Sequence, residues 1–176
     1  MGRSKYAGQS AGPITPQAYD TYAKVNPPLR TQQDVDAMVA GLNDGIIDFV
    51  ATDHAPHGRI EKLCTFQEAE FGISVLETAL GSLLKLVHQK QITLPSLIDK
   101  LTHAPARFLG RTDIGNLRPG SEADVTVIAP DTKWIVDTEG FVSRGKNSPL
   151  HGSVLRGAVV TTIVGGKIAF TSQAWN

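Results

Sequence analysis

The sequence predicts an α/β chain in which helix and strand segments precede a small β-rich tail. Three observations predict this. Apolar residues recur at helical spacing over Val35, Met38, Val39 and Leu42, and again over Leu76, Leu80, Leu83, Leu84 and Val87. A short run rich in β-branched and aromatic residues, 46–51, lies between Gly45 and a string of one acid and two histidines. From about residue 114 the pattern turns to β-rich segments separated by turn residues.

The elements follow in order. Residues 1–20 are polar and rich in Gly, Ser and Pro, so they read as a loop or ragged end. Asn26-Pro27-Pro28-Leu29-Arg30 is expected to be extended, because proline disfavours helix for the residue before it. Thr31 is placed to cap a helix with Asp34 in its first turn, and Gly45 is placed to end it. Residues 46–51 are expected to form a buried strand, followed by a polar loop to about residue 70. Ser74 with Glu77 has the pattern of a capping box before the leucine-rich helix. A second helix is expected from about Pro95 to Leu101, and another helical turn over 106–110. In the tail, 124–128, 134–136 and 158–164 are β-rich, and Gly165-Gly166 signals a hairpin into 167–170. Trp134 and Phe141 read as the core of this module, giving divisions of 1–20, 21–110 and 111–176.

Composition narrows the function. The 176 residues are 41% hydrophobic, enough for a real core. Lys plus Arg is 17 and Asp plus Glu is 17, which argues against a nucleic-acid or anionic-membrane binder. No apolar run reaches the ~20 residues of a membrane span, and the start of the chain has no secretory pattern. A lone cysteine, Cys64, fits a reducing compartment, so a cytoplasmic protein is expected.

The chemistry gathers at Asp53-His54-Ala55-Pro56-His57. Carboxylate and imidazole bind metals and move protons near neutral pH. Groups of this kind at the C-terminal end of a buried strand are how α/β barrels build active sites. Alone, Asp53 would also suit a turn or a helix cap, and Asn26 would also suit a prolyl turn. His54 reads as a structural residue beneath the site. His88 reads as a solvated helix residue, His103 as a helix-end histidine and His151 as a loop histidine.

Asn26-Pro-Pro-Leu-Arg30 and Ala51-Thr-Asp-His-Ala-Pro-His57, with Phe71-Gly72, resemble the dihydroorotase family of amidohydrolases over roughly residues 20–172. Gly115-Asn-Leu-Arg-Pro-Gly-Ser-Glu-Ala-Asp124 resembles the start of that superfamily's C-terminal β module. The resemblance implies the C-terminal part of a metal-dependent-hydrolase (β/α)8 barrel with a small β-sandwich-like module, the barrel being incomplete. It implies zinc-dependent interconversion of N-carbamoyl-L-aspartate and dihydroorotate in pyrimidine biosynthesis. Asp53 would be a zinc ligand and the general acid/base. Asn26, His57, Phe71 and Gly72 would contact substrate, His57 through the substrate carboxylate. Allantoinases and dihydropyrimidinases share this architecture and are the alternatives within the class.

The family's remaining metal ligands include a His-x-His pair on an early barrel strand. No two of the five histidines here stand in that arrangement. A catalytic zinc takes about three protein ligands, and the resemblance supplies Asp53. The expectation is therefore a form with little activity alone. A non-catalytic dihydroorotase-like remnant, or an assembly partner of another pyrimidine-pathway enzyme, is the competing reading. An incomplete barrel leaves apolar surface that favours self-association.

Overall fold

The computed structural model describes residues 18–172. The expected ragged stretch 1–20 lies outside the described residues except for Ala18, Tyr19 and Asp20, as do residues 173–176 of the expected β module.

The first helix, α1 (Gln32–Asn43), begins at a reciprocal cap. The Thr31 hydroxyl oxygen accepts the Asp34 N–H at 3.3 Å, and the Asp34 carboxylate accepts the Thr31 N–H at 3.0 Å and its hydroxyl at 2.7 Å. Those bonds, the one from the hydroxyl foremost, hold the Asp34 carboxyl below the usual carboxylate range. The apolar face of α1 is unevenly covered: Leu42 is buried, while Met38 is 59% exposed.

The expected strand 46–51 does not form. Among the described residues this segment pairs with no strand, and Ile46 is 78% exposed. It is held by three bonds to helical residues: the Ile47 N–H reaches Gly41 O at 3.0 Å, the Val50 N–H reaches Lys100 O at 3.1 Å, and Lys100 Nζ reaches Ile47 O at 2.6 Å. A strand needs neighbouring ladders for its N–H and C=O groups. The nearest approach to one is a single parallel bridge between His54 and Ile73.

A short helix, α2 (Arg59–Lys62), follows, and then α3 (Ala79–His88). The expected capping box at Ser74 and Glu77 is absent, because α3 starts later, after Thr78. Both side chains are used elsewhere. The Ser74 hydroxyl bonds Gly145 O at 2.7 Å and Asn147 Oδ1 at 2.8 Å, and the Glu77 carboxylate accepts the Val142 and Ser143 N–H groups. Tertiary partners outbid a local pattern when they offer better-placed donors.

The next helix, α4 (Leu94–Leu101), starts as expected: Thr93 Oγ1 accepts the Ser96 N–H at 3.2 Å, and Pro95 sits in the first turn. The turn expected at 106–110 is a longer helix, α5 (His103–Phe108). His103 therefore opens a helix and does not end one. Leu84, Ile92 and Leu97 form the buried centre of this layer, with Leu80, Leu83, Leu86, Val87, Leu94 and Leu101 around it. Burying each such side chain contributes about 1.5–3 kcal/mol relative to exposure.

The tail is an open antiparallel sheet of order β1-β2-β3. Its strands are β1 (Val125–Ile135), β2 (Val154–Val164) and β3 (Lys167–Thr171). The hairpin at Gly165-Gly166 joins the last two as expected. The expected segments 124–128 and 134–136 belong to one strand, interrupted by register shifts after Val127 and after Ala129. Val136, Phe141 and Leu155 form its core, with Trp134 and Leu150 packed against them.

The helical layer and the sheet meet at α3 and β2. A Cβ on Gly157, whose φ is +112°, would stand 2.2 Å from Leu84 Cδ1, so only glycine allows this approach. His88, expected on a solvated face, is half-buried at this seam and bonds Pro130 O at 3.1 Å. No helix among the described residues is long and apolar enough to cross a membrane.

Candidate functional site

Asp53 leads the motif with a φ of +46° and an exposed side chain. Left-handed backbone at a residue with a Cβ is sparsely populated and clusters at functional turns, although Asp tolerates it better than most. His54 is anchored beneath it. Its Nδ1 accepts the Val75 N–H at 3.0 Å and the Leu76 N–H at 3.3 Å. An imidazole nitrogen that accepts leaves the proton on the other, so Nε2–H donates to Ser143 Oγ at 3.3 Å. This geometry agrees with the structural reading of His54.

The bridge to Ile73 sets segment 53–57 alongside 71–75, and the Ala55 N–H donates to Ile73 O at 3.0 Å. His57, Phe71 and Gly72 consequently meet. His57 Nε2 lies 2.9 Å from Phe71 O, and because a carbonyl only accepts, that nitrogen carries the proton. His57 Nδ1 is 3.7 Å from Glu61 Oε2. Gly72 has a φ of +135°, and a Cβ there would stand 2.4 Å from Ala55 Cβ and 3.1 Å from His57 Nε2. Its N–H donates to Lys24 O at 2.9 Å, so its backbone is engaged within the chain.

Beside this cluster are two buried lysines held by main-chain oxygens. Lys62 is 0% exposed and donates to Glu70 O at 2.6 Å and Thr21 O at 3.0 Å. Burial pushes its ammonium below the usual lysine range, and the Lys24 charge adds to this. Lys24 donates to Ala69 O at 2.6 Å and Gln67 O at 3.0 Å, and lies 4.3 Å from the Phe71 ring centroid. Together they tie loop 61–71 to segment 21–25.

Asn26 follows this tied segment and is exposed. An apolar cleft of about 360 Å³ flanks it, lined by Val25, Pro28, Leu29, Phe66 and Phe71. A more polar cleft of about 290 Å³ is lined by Tyr22, His57, Arg59, Lys146, Asn147 and His151. Among the described residues, no hydrogen bond joins the Asn26 or Asp53 side chain to the His57–Phe71–Gly72 cluster.

One residue of this cluster carries no signal in the local sequence: Asn147, from the loop between β1 and β2. It precedes Ser148 and Pro149 and resembles a turn asparagine, whereas its partners lie far away along the chain. Ser74 and Glu77 were likewise legible only as a helix cap.

Zinc is the metal that the motif's resemblance implies. No group of three or more His, Cys, Asp or Glu residues placed to hold a metal ion occurs among the described residues. Asp53 offers one carboxylate, both His54 nitrogens are engaged, and His57 Nε2 is committed to Phe71 O. This donor set does not fit a catalytic zinc, which takes about three protein ligands.

The profile of the amidohydrolase family matches residues 22–169. The chain is 51% identical to a dihydroorotase of Geobacter metallireducens, over 88% of this chain and 36% of that protein. It is 47% identical to a dihydroorotase of Desulforapulum autotrophicum, again over 88% of this chain and 36% of that protein. Among solved structures, the L-hydantoinase of Arthrobacter aurescens superposes with a TM-score of 0.80 at 31% identity, over 86% of this chain and 35% of that one. The D-hydantoinase of a Thermus species shares the fold, with a TM-score of 0.77 at 22% identity, over 88% of this chain and 36% of that one. The chain thus spans about a third of the length of these relatives.

Proposed function

The chain belongs to the amidohydrolase family, and on that premise we propose that it carries the proton-transfer part of a dihydroorotase-type site. The reaction is hydrolysis of the cyclic amide of dihydroorotate to N-carbamoyl-L-aspartate, and its reverse in biosynthesis. The reading rests on one observation: segment 53–57 lies against 71–75 with Asp53 exposed and His57 fixed beside it. The names of relatives that are about half identical to this chain over the aligned stretch support the substrate class.

In this reading Asp53 takes a proton from the water that attacks the ring carbonyl carbon. The ring C–N bond breaks, and Asp53 returns the proton to the departing nitrogen. His57, held in place by its Nε2–H bond to Phe71 O, stands beside the position of the substrate carboxylate. The Asn26 amide and the Phe71-Gly72 edge complete the contacts. The family is generally zinc-dependent, and Asp53 offers one of the about three protein ligands that a catalytic zinc takes. Residues 21–110 are then part of an α/β barrel and 111–176 its β module, with a sandwich-like second layer. A cytoplasmic setting and association with further copies or a pathway enzyme fit the same reading.

The test is a chimera. Residues 22–169 replace the matching stretch of the Geobacter metallireducens dihydroorotase, and hydrolysis of dihydroorotate is measured with zinc. Turnover that vanishes in Asp53→Asn is the expected result. A folded chimera that opens hydantoin but not dihydroorotate would move the assignment to the hydantoinase branch. A folded chimera inert on both would leave a non-catalytic assembly role. The chain by itself is expected to turn over little or nothing.

A further inference from the structure

We propose that Asn147 is the positioning residue of this site: its carboxamide locks the main chain on both sides of the His57 imidazole and so fixes which ring nitrogen carries the proton. The functional meaning of this clamp rests on the reading above that His57 faces substrate.

Asn147 is 2% exposed, and its carboxamide is fully used. Nδ2 donates to Ala55 O at 3.0 Å and to Gly72 O at 3.1 Å. Oδ1 accepts the His57 N–H at 2.8 Å and the Ser74 hydroxyl at 2.8 Å. Two donors and two acceptor positions are all that a carboxamide offers: the donors take Ala55 O and Gly72 O, and Oδ1 takes the His57 N–H and a share of the single Ser74 hydroxyl proton, which Gly145 O also accepts. The orientation is unambiguous, because turning the amide over would set its NH₂ against an N–H and its oxygen against two carbonyls. The Asn147 carbonyl also receives the Ser74 N–H at 2.9 Å, so the grip continues through the main chain.

The four partners flank the imidazole. Ala55 and His57 form one side of the loop, and Gly72 and Ser74 the other. With both held, Phe71 O sits 2.9 Å from His57 Nε2 and keeps the proton there, leaving Nδ1, 3.7 Å from Glu61 Oε2, as the nitrogen without a hydrogen bond. No other side chain fits the position. Aspartate lacks the donors for Ala55 O and Gly72 O, serine is too short to span both segments, and alanine takes the side-chain partner from Ala55 O, Gly72 O and the His57 N–H.

The experiment is NMR of the ¹⁵N-labelled full chain, reading the His57 ring tautomer and the exchange of its backbone amide. Wild type is expected to show a single Nε2–H tautomer and a slow His57 amide. Asn147→Ala and Asn147→Asp should mix the tautomers and speed His57 amide exchange by about 10- to 100-fold, the size of one or two lost buried hydrogen bonds. Amides near Leu84 in α3 should be unchanged. Ser74→Ala, which removes one bond of the set, should act the same way more weakly. It stands as the deciding variant if Asn147→Ala fails to fold. A purely structural asparagine would speed exchange throughout and leave the tautomer alone. That result, or a wild-type ring protonated at Nδ1, would overturn the proposal. Titration of dihydroorotate into the folded chimera keeps the two readings apart. A tautomer shift in the variants with no ligand response at His57 retains the clamp and counts against the assigned substrate.

Discussion

The Glu77 carboxylate accepts the main-chain N–H of Ser143 at 3.1 Å, and its other oxygen accepts that of Val142 at the same distance. A residue that the local pattern assigns to a helix start instead tethers the loop after β1 to the turn before α3. Charge-assisted bonds of this kind are stronger than neutral ones, although Glu77 is exposed and screening weakens them. Glu77→Ala is expected to cost about 1 kcal/mol in urea unfolding. A stability unchanged from wild type would mean that the tether contributes nothing.

Lys62 sets a second expectation. Lys62→Met keeps much of the volume but leaves Thr21 O and Glu70 O without their donor. A loss of about 2–3 kcal/mol should follow, concentrated in loop 61–71 and visible as faster proteolysis there. Because the folded ammonium titrates below the usual lysine range, the unfolded chain holds that proton more tightly in the interval between the two values. This residue therefore makes stability rise with pH across that interval, and Lys62→Met should remove the rise.

The α1 cap gives a third. Thr31→Ala should cost about 1 kcal/mol of stability by chemical denaturation. The Asp34 carboxyl is lowered in the folded state. Its contribution is therefore complete above the usual carboxylate range and is lost as pH falls through the lowered value. The cost of Asp34→Ala should shrink in acid, and a cost independent of pH would contradict the cap's role.

Asp53 itself gives the fourth. Its φ of +46° carries a strain that glycine lacks. Asp53→Gly should raise the thermal midpoint, by a stabilisation of about 0.5–1 kcal/mol, while ending any turnover by the chimera. Lower stability in that variant would assign the carboxylate a structural task.

The signals that proved legible are those whose physics is local. The Thr31–Asp34 cap, the Thr93–Pro95 helix start and the Gly165-Gly166 hairpin each depend on residues a few positions apart, and each is in place. Segment 46–51 has the composition of a buried strand, yet composition cannot supply the neighbours that make a ladder. Ser74 and Glu77 spell a cap, and the loop after β1 reclaims both. The Asp53–His57 string is visible because its residues are consecutive. Asn147 is not, because its meaning lies in partners about 70 to 90 positions away.

Gly145 buries itself against the motif so closely that a Cβ there would stand 2.5 Å from Pro56 Cβ and 2.7 Å from the His57 nitrogen. That contact makes the turn at 145 a mould for the turn at 56. Neither can drift in sequence without the other, so grafting the β tail of a relative onto this chain transplants half of the mould as well. A donor bearing anything larger than glycine at this point would push the histidine out of register before any chemistry could begin.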